Sequence, residues 1–205
     1  MLLGLGSGRA AEAFIRRLGE RVAAGLSVRG VATSRRSAEL AASLGIPLGS
    51  LDEIERLDVA FDGADEVAPD LALTKGLGGA LLRERVVAHA ALRFVILVTP
   101  EKMVERLGSR SPIPVEVVPF AGAPVVRELG SLGAEGKLRP AAEGGTFRTD
   151  NGNLIVDADF GPIADPAGLD AAIRRIPGVV DTGLFLGMAD LVLVGDETGV
   201  RELRR

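Results

Sequence analysis

Residues 1–8, MLLGLGSG, read as a short apolar strand that ends in a glycine turn. Residues 9–24 follow directly, and their apolar side chains recur at the spacing of a helix. A strand, a glycine-rich loop and a helix in this order are typical of α/β proteins. We therefore expect the chain to begin with a strand of a sheet that carries helices.

The same alternation continues along the first half of the chain. The predicted strands cover residues 27–33, 57–61 and 93–98, and the predicted helices cover residues 37–44 and 79–91. Because continuous apolar strands are buried on both faces, the pattern predicts a parallel sheet with helices on both sides.

The character of the sequence changes after Lys102. Four prolines between residues 112 and 124 separate short β-like pieces, and residues 130–145 are rich in turns. Residues 153–160 alternate apolar and polar side chains, and residues 166–176 have helical spacing. This mixture predicts a second, smaller α+β lobe.

The chain ends on an apolar stretch, residues 189–195, which resembles the strands of the first half. We therefore expect the chain to return to the large domain. The predicted fold is α/β: a Rossmann-like parallel-sheet domain of residues 1–109 and 180–205, with a ferredoxin-like α+β lobe of residues 110–179.

Composition excludes several kinds of site. The 205-residue chain has no cysteine and a single histidine, His89, which argues against disulfides, thiolate chemistry and zinc. Its net charge is −4 and only 3% of its residues are aromatic, which argues against a nucleic-acid surface. No apolar run reaches the length of a membrane span. We expect a cytoplasmic protein without metal, cofactor, nucleic-acid or membrane partners.

The turn at residues 6–8 lies between a predicted strand and the N-terminus of a helix. Free backbone N–H groups at such a position favour a bound phosphate. The dinucleotide fingerprint G-x-G-x-x-G is not completed, because Arg9 stands at its last glycine, and Thr33 and Ser34 stand where an acidic ribose ligand would be expected. The residues thus indicate a phosphate loop, with a plain structural turn as the alternative.

Residues 62–66, DGADE, follow the apolar strand at residues 57–61. They lie at the carboxyl end of that strand, where open α/β sheets bind ligands. Lys75 comes ten positions after Asp65, immediately before a glycine turn, and the helix that follows carries Glu84. We expect one lysine and several carboxylates near the same sheet edge.

Carboxylates with a lysine and no metal ligands suit proton abstraction next to a carbonyl group. One carboxylate moves the carbon-bound proton, the ammonium group stabilises the developing enediolate oxygen, and another carboxylate handles hydroxyl protons. Together with a phosphate loop, this set favours a sugar-phosphate isomerase. A solvated acidic loop with an incidental lysine remains the alternative at this point.

In combination these stretches resemble the signatures of the ribose-5-phosphate isomerase family, type A. Residues 62–66 are identical to its DGADE signature, and residues 75–84, KGLGGALLRE, are similar to its KGGGAALxRE signature. Further matches extend over essentially the whole chain, at residues 4–8, 33–34, 100–102, 114–117, 149–153, 177–180 and 183–185.

The resemblance implies interconversion of D-ribose 5-phosphate and D-ribulose 5-phosphate through a cis-enediolate, a step of the non-oxidative pentose phosphate pathway, without a metal. It implies that Glu84 moves the proton between C2 and C1, and that Asp62 assists ring opening and hydroxyl proton transfer. Asp65 would orient sugar hydroxyls, and Lys75 would stabilise the enediolate oxygen. The expected substrate-binding residues are Gly6, Ser7, Gly8, Arg9, Thr33, Ser34, Gly76, Gly78 and Lys102. Members of the family are usually homodimers or homotetramers.

Two departures from the family pattern concern the phosphate. Arg9 and Ala10 replace a Ser-Thr pair of the family's loop, and we hypothesise that Arg9 substitutes for the lost hydroxyl donors through charge-assisted bonds. The family also carries a helix with a lysine ahead of its first strand, and the sequence begins at that strand. We expect either an upstream segment or a barer phosphate site.

Two other functions share the same fold class. One is a non-catalytic sugar-phosphate sensor, which would have no need to keep Asp62, Asp65, Lys75 and Glu84 together. The other is an isomerase or deaminase that acts on an amino sugar phosphate. Since fold alone does not separate these functions, the site residues carry the distinction.

Overall fold

The computed structural model describes the whole chain, from Met1 to Arg205. Contacts divide it into two compact units: residues 1–64, 83–101 and 188–205 form the first, and residues 65–82 and 102–187 form the second. In chain order the elements are β1 (Leu2–Leu5), α1 (Gly8–Ala23), β2 (Arg29–Ala32), α2 (Arg35–Ser43), β3 (Val59–Asp62), β4 (Glu66–Val67), β5 (Leu73–Thr74), α3 (Leu81–His89), β6 (Phe94–Val98), β7 (Ile113–Val117), α4 (Gly122–Ser131), β8 (Glu135–Leu138), β9 (Leu154–Asp159), α5 (Pro166–Arg174), β10 (Val179–Thr182), β11 (Leu184–Phe185), β12 (Leu191–Asp196) and β13 (Gly199–Arg204).

The first unit is built on a six-stranded sheet in the order β13-β12-β6-β3-β1-β2. Five of these strands are parallel, and β13 pairs antiparallel with β12 at one edge. The order reverses at β1, which lies between β2 and β3. Ligands of open α/β sheets bind outside the carboxyl ends of the strands at such a reversal.

Alternate side chains of β1 face the two sides of this sheet. Leu3 and Leu5 belong to one apolar cluster with Ile15 of helix α1. Gly4 faces the other side, where an added Cβ would lie 2.6 Å from side-chain atoms of Ala60 and Val87, so helix α3 packs closely there. The sheet is therefore covered on both faces, as the apolar strands predict.

The second unit contains a four-stranded antiparallel sheet in the order β10-β7-β9-β8. Its chain order, β7-α4-β8-β9-α5-β10, is the β-α-β-β-α-β arrangement of ferredoxin-like folds. Val115 and Val117 of β7 pack in one cluster with Val125 and Leu129 of α4 and with Ile173 of α5.

The same unit includes a three-stranded sheet in the order β11-β5-β4. These antiparallel pairings group residues 65–82 with residues 102–187. The boundaries therefore differ from the expected division at residues 109/110 and 179/180, because β5 pairs with both β4 and β11, although it precedes β11 by more than a hundred residues.

The α/β class is confirmed, with two differences in detail. Strand β13 was not expected, because its alternating charged residues lack the apolar signal of the other strands, and it makes the first sheet mixed instead of wholly parallel. Helix α4 was also missed, because Pro124 suggested a strand-rich segment. A proline is tolerated in the first turn of a helix, and it lies there in α4.

The single histidine, His89, is the exposed last residue of α3, as its surroundings in the sequence indicated. No helix of the chain is both long enough and apolar enough to span a membrane.

Candidate active site

The carboxylate of Asp62 is oriented by the glycine loop after β1. Asp62 ends β3 and is 2% exposed, and its Oδ1 accepts hydrogen bonds from the backbone N–H groups of Ser7 (3.0 Å) and Gly63 (2.8 Å). Gly6 makes this approach possible, because a Cβ there would lie 2.2 Å from Asp62 Oδ1. The loop and the end of β3 thus hold one carboxylate in a defined direction.

A cluster of hydroxyl groups lies beside the same loop. The Oγ of Ser7 is 2.7 Å from Thr33 Oγ1 and 2.8 Å from Ser34 Oγ. Ser34 caps helix α2 by accepting from the backbone N–H of Ser37, and the hydroxyl of Ser37 donates to the carbonyl oxygen of Gly6 at 2.6 Å. The loops after β1 and β2 are therefore joined at the sheet edge.

Glu84 lies in the first turn of α3 and is 4% exposed. It lines one small pocket of the first unit together with Asp62, Gly6 and Thr33. A carboxylate at this position is favoured by the dipole of its helix. Two buried acid groups thus line one pocket, and a pair of carboxyl groups can accept and donate protons there.

The remaining expected residues of this unit lie at the start of helix α1. Gly8 is its first residue, with φ of +85°, and Arg9 is its second. Both are exposed. A guanidinium group at this place is open to a ligand, and its binding to phosphate stays a prediction.

In the second unit, Asp65 is held against the glycine turn that follows β5. Its Oδ2 accepts the backbone N–H of Leu77 at 2.9 Å. Burial raises the pKa of Asp65 above 3.8, and this is the largest effect on the group. The Leu77 bond and the positive charges of Lys75, Lys102 and Arg139 act in the opposite direction.

Lys75 directly follows β5 and is 3% exposed. Its backbone N–H donates to the carbonyl oxygen of Gly183 at 2.9 Å, and its ammonium group lies 5.6 Å from the centre of the Phe185 ring. A lysine this deeply buried keeps a compact positive charge out of bulk water. Such a charge can stabilise a developing oxyanion strongly.

The two expected glycines of the turn differ in their surroundings. Gly76 has φ of +103°, and a Cβ there would lie 2.7 Å from the side chain of Leu81. Gly78 is exposed, and an added Cβ would meet no atom within 4 Å. The protein's own packing thus explains the glycine at position 76 but not the one at position 78.

Glu66, the last carboxylate of the DGADE stretch, serves the protein and not an open site. It is 1% exposed, and its two oxygens accept backbone N–H groups of Gly108 (2.6 Å), Arg110 (2.6 Å) and Ser111 (3.1 Å). It therefore holds the loop that precedes β7.

Known proteins share the sequence of this chain over most of its length. Residues 29–199 match the model of the family described as ribose 5-phosphate isomerase A (phosphoriboisomerase A). A ribose-5-phosphate isomerase A of Thermomicrobium roseum is 55% identical over 206 residues, which cover 100% of this chain and 87% of the relative. The chain belongs to the ribose 5-phosphate isomerase A family.

Solved structures of the isomerase family show the same fold. A ribose 5-phosphate isomerase A of Methanocaldococcus jannaschii superposes with a TM-score of 0.95 at 45% identity, covering 100% of this chain and 91% of that one. A D-ribose-5-phosphate isomerase in complex with phospho-erythronic acid gives a TM-score of 0.97 at 42% identity, with the same coverage.

The contacts of three residues were not expected from the sequence. Ser37 joins the hydroxyl cluster, and the only local signal for it was its position three residues after the cap Ser34. Glu66 was grouped with the other carboxylates, because its hydrogen-bond partners lie more than forty residues away in the sequence. Arg139 contacts the glycine turn from a distance of more than sixty residues along the chain.

Proposed function

We propose that this chain interconverts D-ribose 5-phosphate and D-ribulose 5-phosphate through a cis-enediolate intermediate. In the forward direction a base removes the C2 proton of the open-chain aldose and then delivers a proton to C1. While the base holds the proton, it exchanges in part with solvent. A hydroxyl proton passes from O2 to O1, so that the atoms balance without any redox partner. The proposed mechanism requires no metal or cofactor.

The pair of buried carboxylates, Asp62 and Glu84, is the observation that carries this proposal. Both line one pocket of the first unit beside the glycine loop. Glu84 serves as the base that moves the proton between C2 and C1, and Asp62 assists ring opening and the hydroxyl transfer. Once the ring is open, isomerisation needs only the transfer of the carbon-bound proton and the transfer of the hydroxyl proton.

The second unit supplies charge stabilisation and orientation. The buried ammonium group of Lys75 stabilises the enediolate oxygen, where a fixed charge lowers the barrier most effectively. Asp65, held by the Leu77 N–H, binds and orients sugar hydroxyls. Gly76 and Gly78 let the turn approach the sugar closely.

The phosphate group binds at the loops after β1 and β2. The proposed donors, at the N-termini of α1 and α2, are the backbone N–H of Gly8 and the hydroxyls of Ser7, Thr33 and Ser34. Gly6 donates its own N–H to Phe61 O and contributes by leaving the loop without a side chain. Arg9 and Lys102 supply positive charge. A family member has been solved in complex with phospho-erythronic acid, which supports a phosphorylated sugar as the substrate class, because that compound joins a phosphate to a planar group bearing two oxygens, as the enediolate does.

Wash-in of solvent deuterium tests the mechanism. Ribose 5-phosphate is incubated with the wild-type chain and with Glu84→Gln, and deuterium at C1 and C2 is followed by proton NMR. The proposal expects exchange together with ribulose 5-phosphate formation in the wild type and loss of both in the variant. Isomerisation by Glu84→Gln at the wild-type rate would show that another group is the base.

The same experiment separates the isomerase from the sensor. A sensor would bind ribose 5-phosphate without exchanging or isomerising it, which would contradict the proposal. The family membership and the joint presence of two buried acids and a buried lysine favour the enzyme.

We also propose that the chain acts in the cytoplasm, in the non-oxidative pentose phosphate pathway, as a homodimer or homotetramer. Support comes from the family, whose members usually form such assemblies. Sedimentation velocity at several protein concentrations tests the assembly, and a single monomeric species at micromolar concentration would contradict it.

A further inference from the structure

The glycine turn at residues 76–79 cannot hold its shape by its own composition. Gly76 and Gly79 adopt φ of +103° and +80°, and inside the turn Gly79 N–H donates to Gly76 O at 2.9 Å. Glycine loses more conformational freedom on ordering than any other residue. Contacts from elsewhere in the chain must therefore select one conformation of the turn.

Arg139, the residue after β8, provides such contacts. Its Nη1 donates to the carbonyl oxygens of Gly76 (3.0 Å) and Leu77 (2.9 Å). Its Nε donates to Asp157 Oδ2 at 2.9 Å, and Nη2 donates to the other oxygen of Asp157. Both side chains are largely buried, with 12% and 14% exposed. One planar guanidinium group thus connects the turn to strand β9.

Phe147 lies opposite Arg139 in the chain and contacts both Arg139 and the glycine turn. Its backbone N–H donates to Arg139 O at 2.9 Å, and its ring lies 5.7 Å from the Arg139 guanidinium carbon. A Cβ at Gly79 would lie 2.5 Å from this ring. The ring therefore occupies the space above Gly79 and limits the movement of the turn.

We propose that Arg139, fixed by Asp157, is a positioning residue that holds the 76–79 turn in the shape in which the Leu77 N–H binds Asp65. The inference rests on the proposed function, because it assigns Arg139 an effect on isomerisation through Asp65. Arg139 itself contacts carbonyl oxygens and Asp157, and it needs no contact with the substrate.

The positive charge of Arg139 also affects the pKa of Asp65. The charged groups that act on Asp65 are Lys75, Lys102 and Arg139, and all three lower its pKa against the effect of burial. Removal of Arg139 takes away one of these charges and weakens the Leu77 bond. The pKa of Asp65 then rises further, and the acid limb of kcat/KM moves to higher pH.

The test compares Arg139→Ala, Arg139→Lys and the control Arg148→Ala. Arg148 is an exposed arginine of the same segment that donates to the carbonyl oxygen of Gly152, away from the turn. We expect Arg139→Ala to lower kcat by about 10- to 100-fold with a smaller change in KM, because a small misplacement of a site group has effects of this size. Arg139→Lys should not restore kcat, since one ammonium group cannot reproduce the fork of four donors.

Added guanidinium ion, well below denaturing concentrations, should partly restore Arg139→Ala, whereas an equal concentration of sodium chloride should not. Arg148→Ala should keep the wild-type kcat, KM and pH profile. Wild-type kcat and an unshifted acid limb in a folded Arg139→Ala would overturn the inference, as would full recovery in Arg139→Lys.

Two further measurements cover other outcomes. If Arg139→Ala does not fold, Asp157→Asn is the second variant. It keeps Arg139 and removes the carboxylate whose two oxygens accept from the guanidinium group. The same lower kcat and the same shift of the acid limb to higher pH are expected from it.

If the wild-type chain does not isomerise ribose 5-phosphate, the proposed function has failed independently of the role of Arg139. Hydrogen exchange of the 76–79 amides then tests the positioning role separately. The exchange should be faster in Arg139→Ala than in the wild type, and an unchanged rate would overturn the inference.

Discussion

The side chain of Asp62 occupies the space that a side chain at Gly6 would need. A Cβ on Gly6 would lie 2.2 Å from Oδ1 and 2.6 Å from Cα of Asp62. The backbone N–H of Gly6 also donates to Phe61 O at 2.9 Å, so the loop cannot move away without losing this bond. The glycine is required here by close approach to a carboxylate.

Gly6→Ala is therefore expected to damage both stability and catalysis. Overpacking of this kind lowers the free energy of unfolding by about 1–3 kcal/mol, and the displaced Asp62 should reduce kcat by more than the stability loss explains. Urea unfolding and initial rates check the two effects.

Gly130→Ala provides the control for this substitution. Gly130 lies inside helix α4, and an added Cβ would meet no atom within 4 Å. This variant should be more stable than the wild type by about 0.5–1 kcal/mol, with unchanged kcat. Equal behaviour of the two variants would show that the contact between Gly6 and Asp62 has no consequence.

Glu66→Ala is expected to destabilise the protein strongly. The substitution leaves three backbone N–H groups, those of Gly108, Arg110 and Ser111, without their acceptor. An unsatisfied buried donor costs about 1–3 kcal/mol. Because the Gly108 N–H is buried and those of Arg110 and Ser111 are partly buried, we expect a total loss of about 3 kcal/mol in urea unfolding. Glu105→Gln, at an exposed position nearby in the sequence, should change the stability by less than about 0.5 kcal/mol. A stable Glu66→Ala would contradict the role assigned to Glu66.

Asp65→Asn should become relatively more stable as pH rises. Burial raises the pKa of Asp65 above 3.8, so the folded state holds this proton more tightly than the unfolded state. The wild type therefore loses stability relative to the variant as pH rises from about 3.8 through the raised pKa, and the difference is constant above it. Urea unfolding measures the difference in stability between the two proteins, at pH values from 3 to 8 in steps of about one unit. If the stability of Asp65→Asn relative to the wild type decreased with rising pH, the prediction would be contradicted.

Arg9→Ala should raise KM for ribose 5-phosphate about tenfold with little change in kcat, because charged hydrogen bonds contribute about 1.5–3 kcal/mol. The increase should be smaller at high salt, since screening weakens an exposed ion contact. Arg16→Ala is the matched control, because Arg16 is exposed on the same helix about two turns away. An unchanged KM in Arg9→Ala would refute the hypothesis that Arg9 binds the phosphate.

Local patterns predicted most elements of the fold. The strand-loop-helix order at residues 1–24 is present as β1 and α1, and the apolar stretches near residues 60 and 95 are β3 and β6. Each of these elements is predicted by a pattern of about ten residues, because apolar periodicity and turn residues indicate whether a short segment forms a helix or a strand. The edge strand β13 lacks such a signal because it is exposed and charged, and its pairing with β12 defines it.

Sequence patterns were sufficient to predict the α/β class, to recognise the family signatures at residues 62–66 and 75–84, and to name the residue types expected at the site. Three features are visible only in the folded chain: Glu66 holds a loop, the Asp62 side chain fills the space beside Gly6, and Arg139 contacts the 76–79 turn. Each of them depends on hydrogen bonds or close contacts between residues more than forty positions apart. Such contacts exist only after the strands have paired, and no local preference of either partner specifies them.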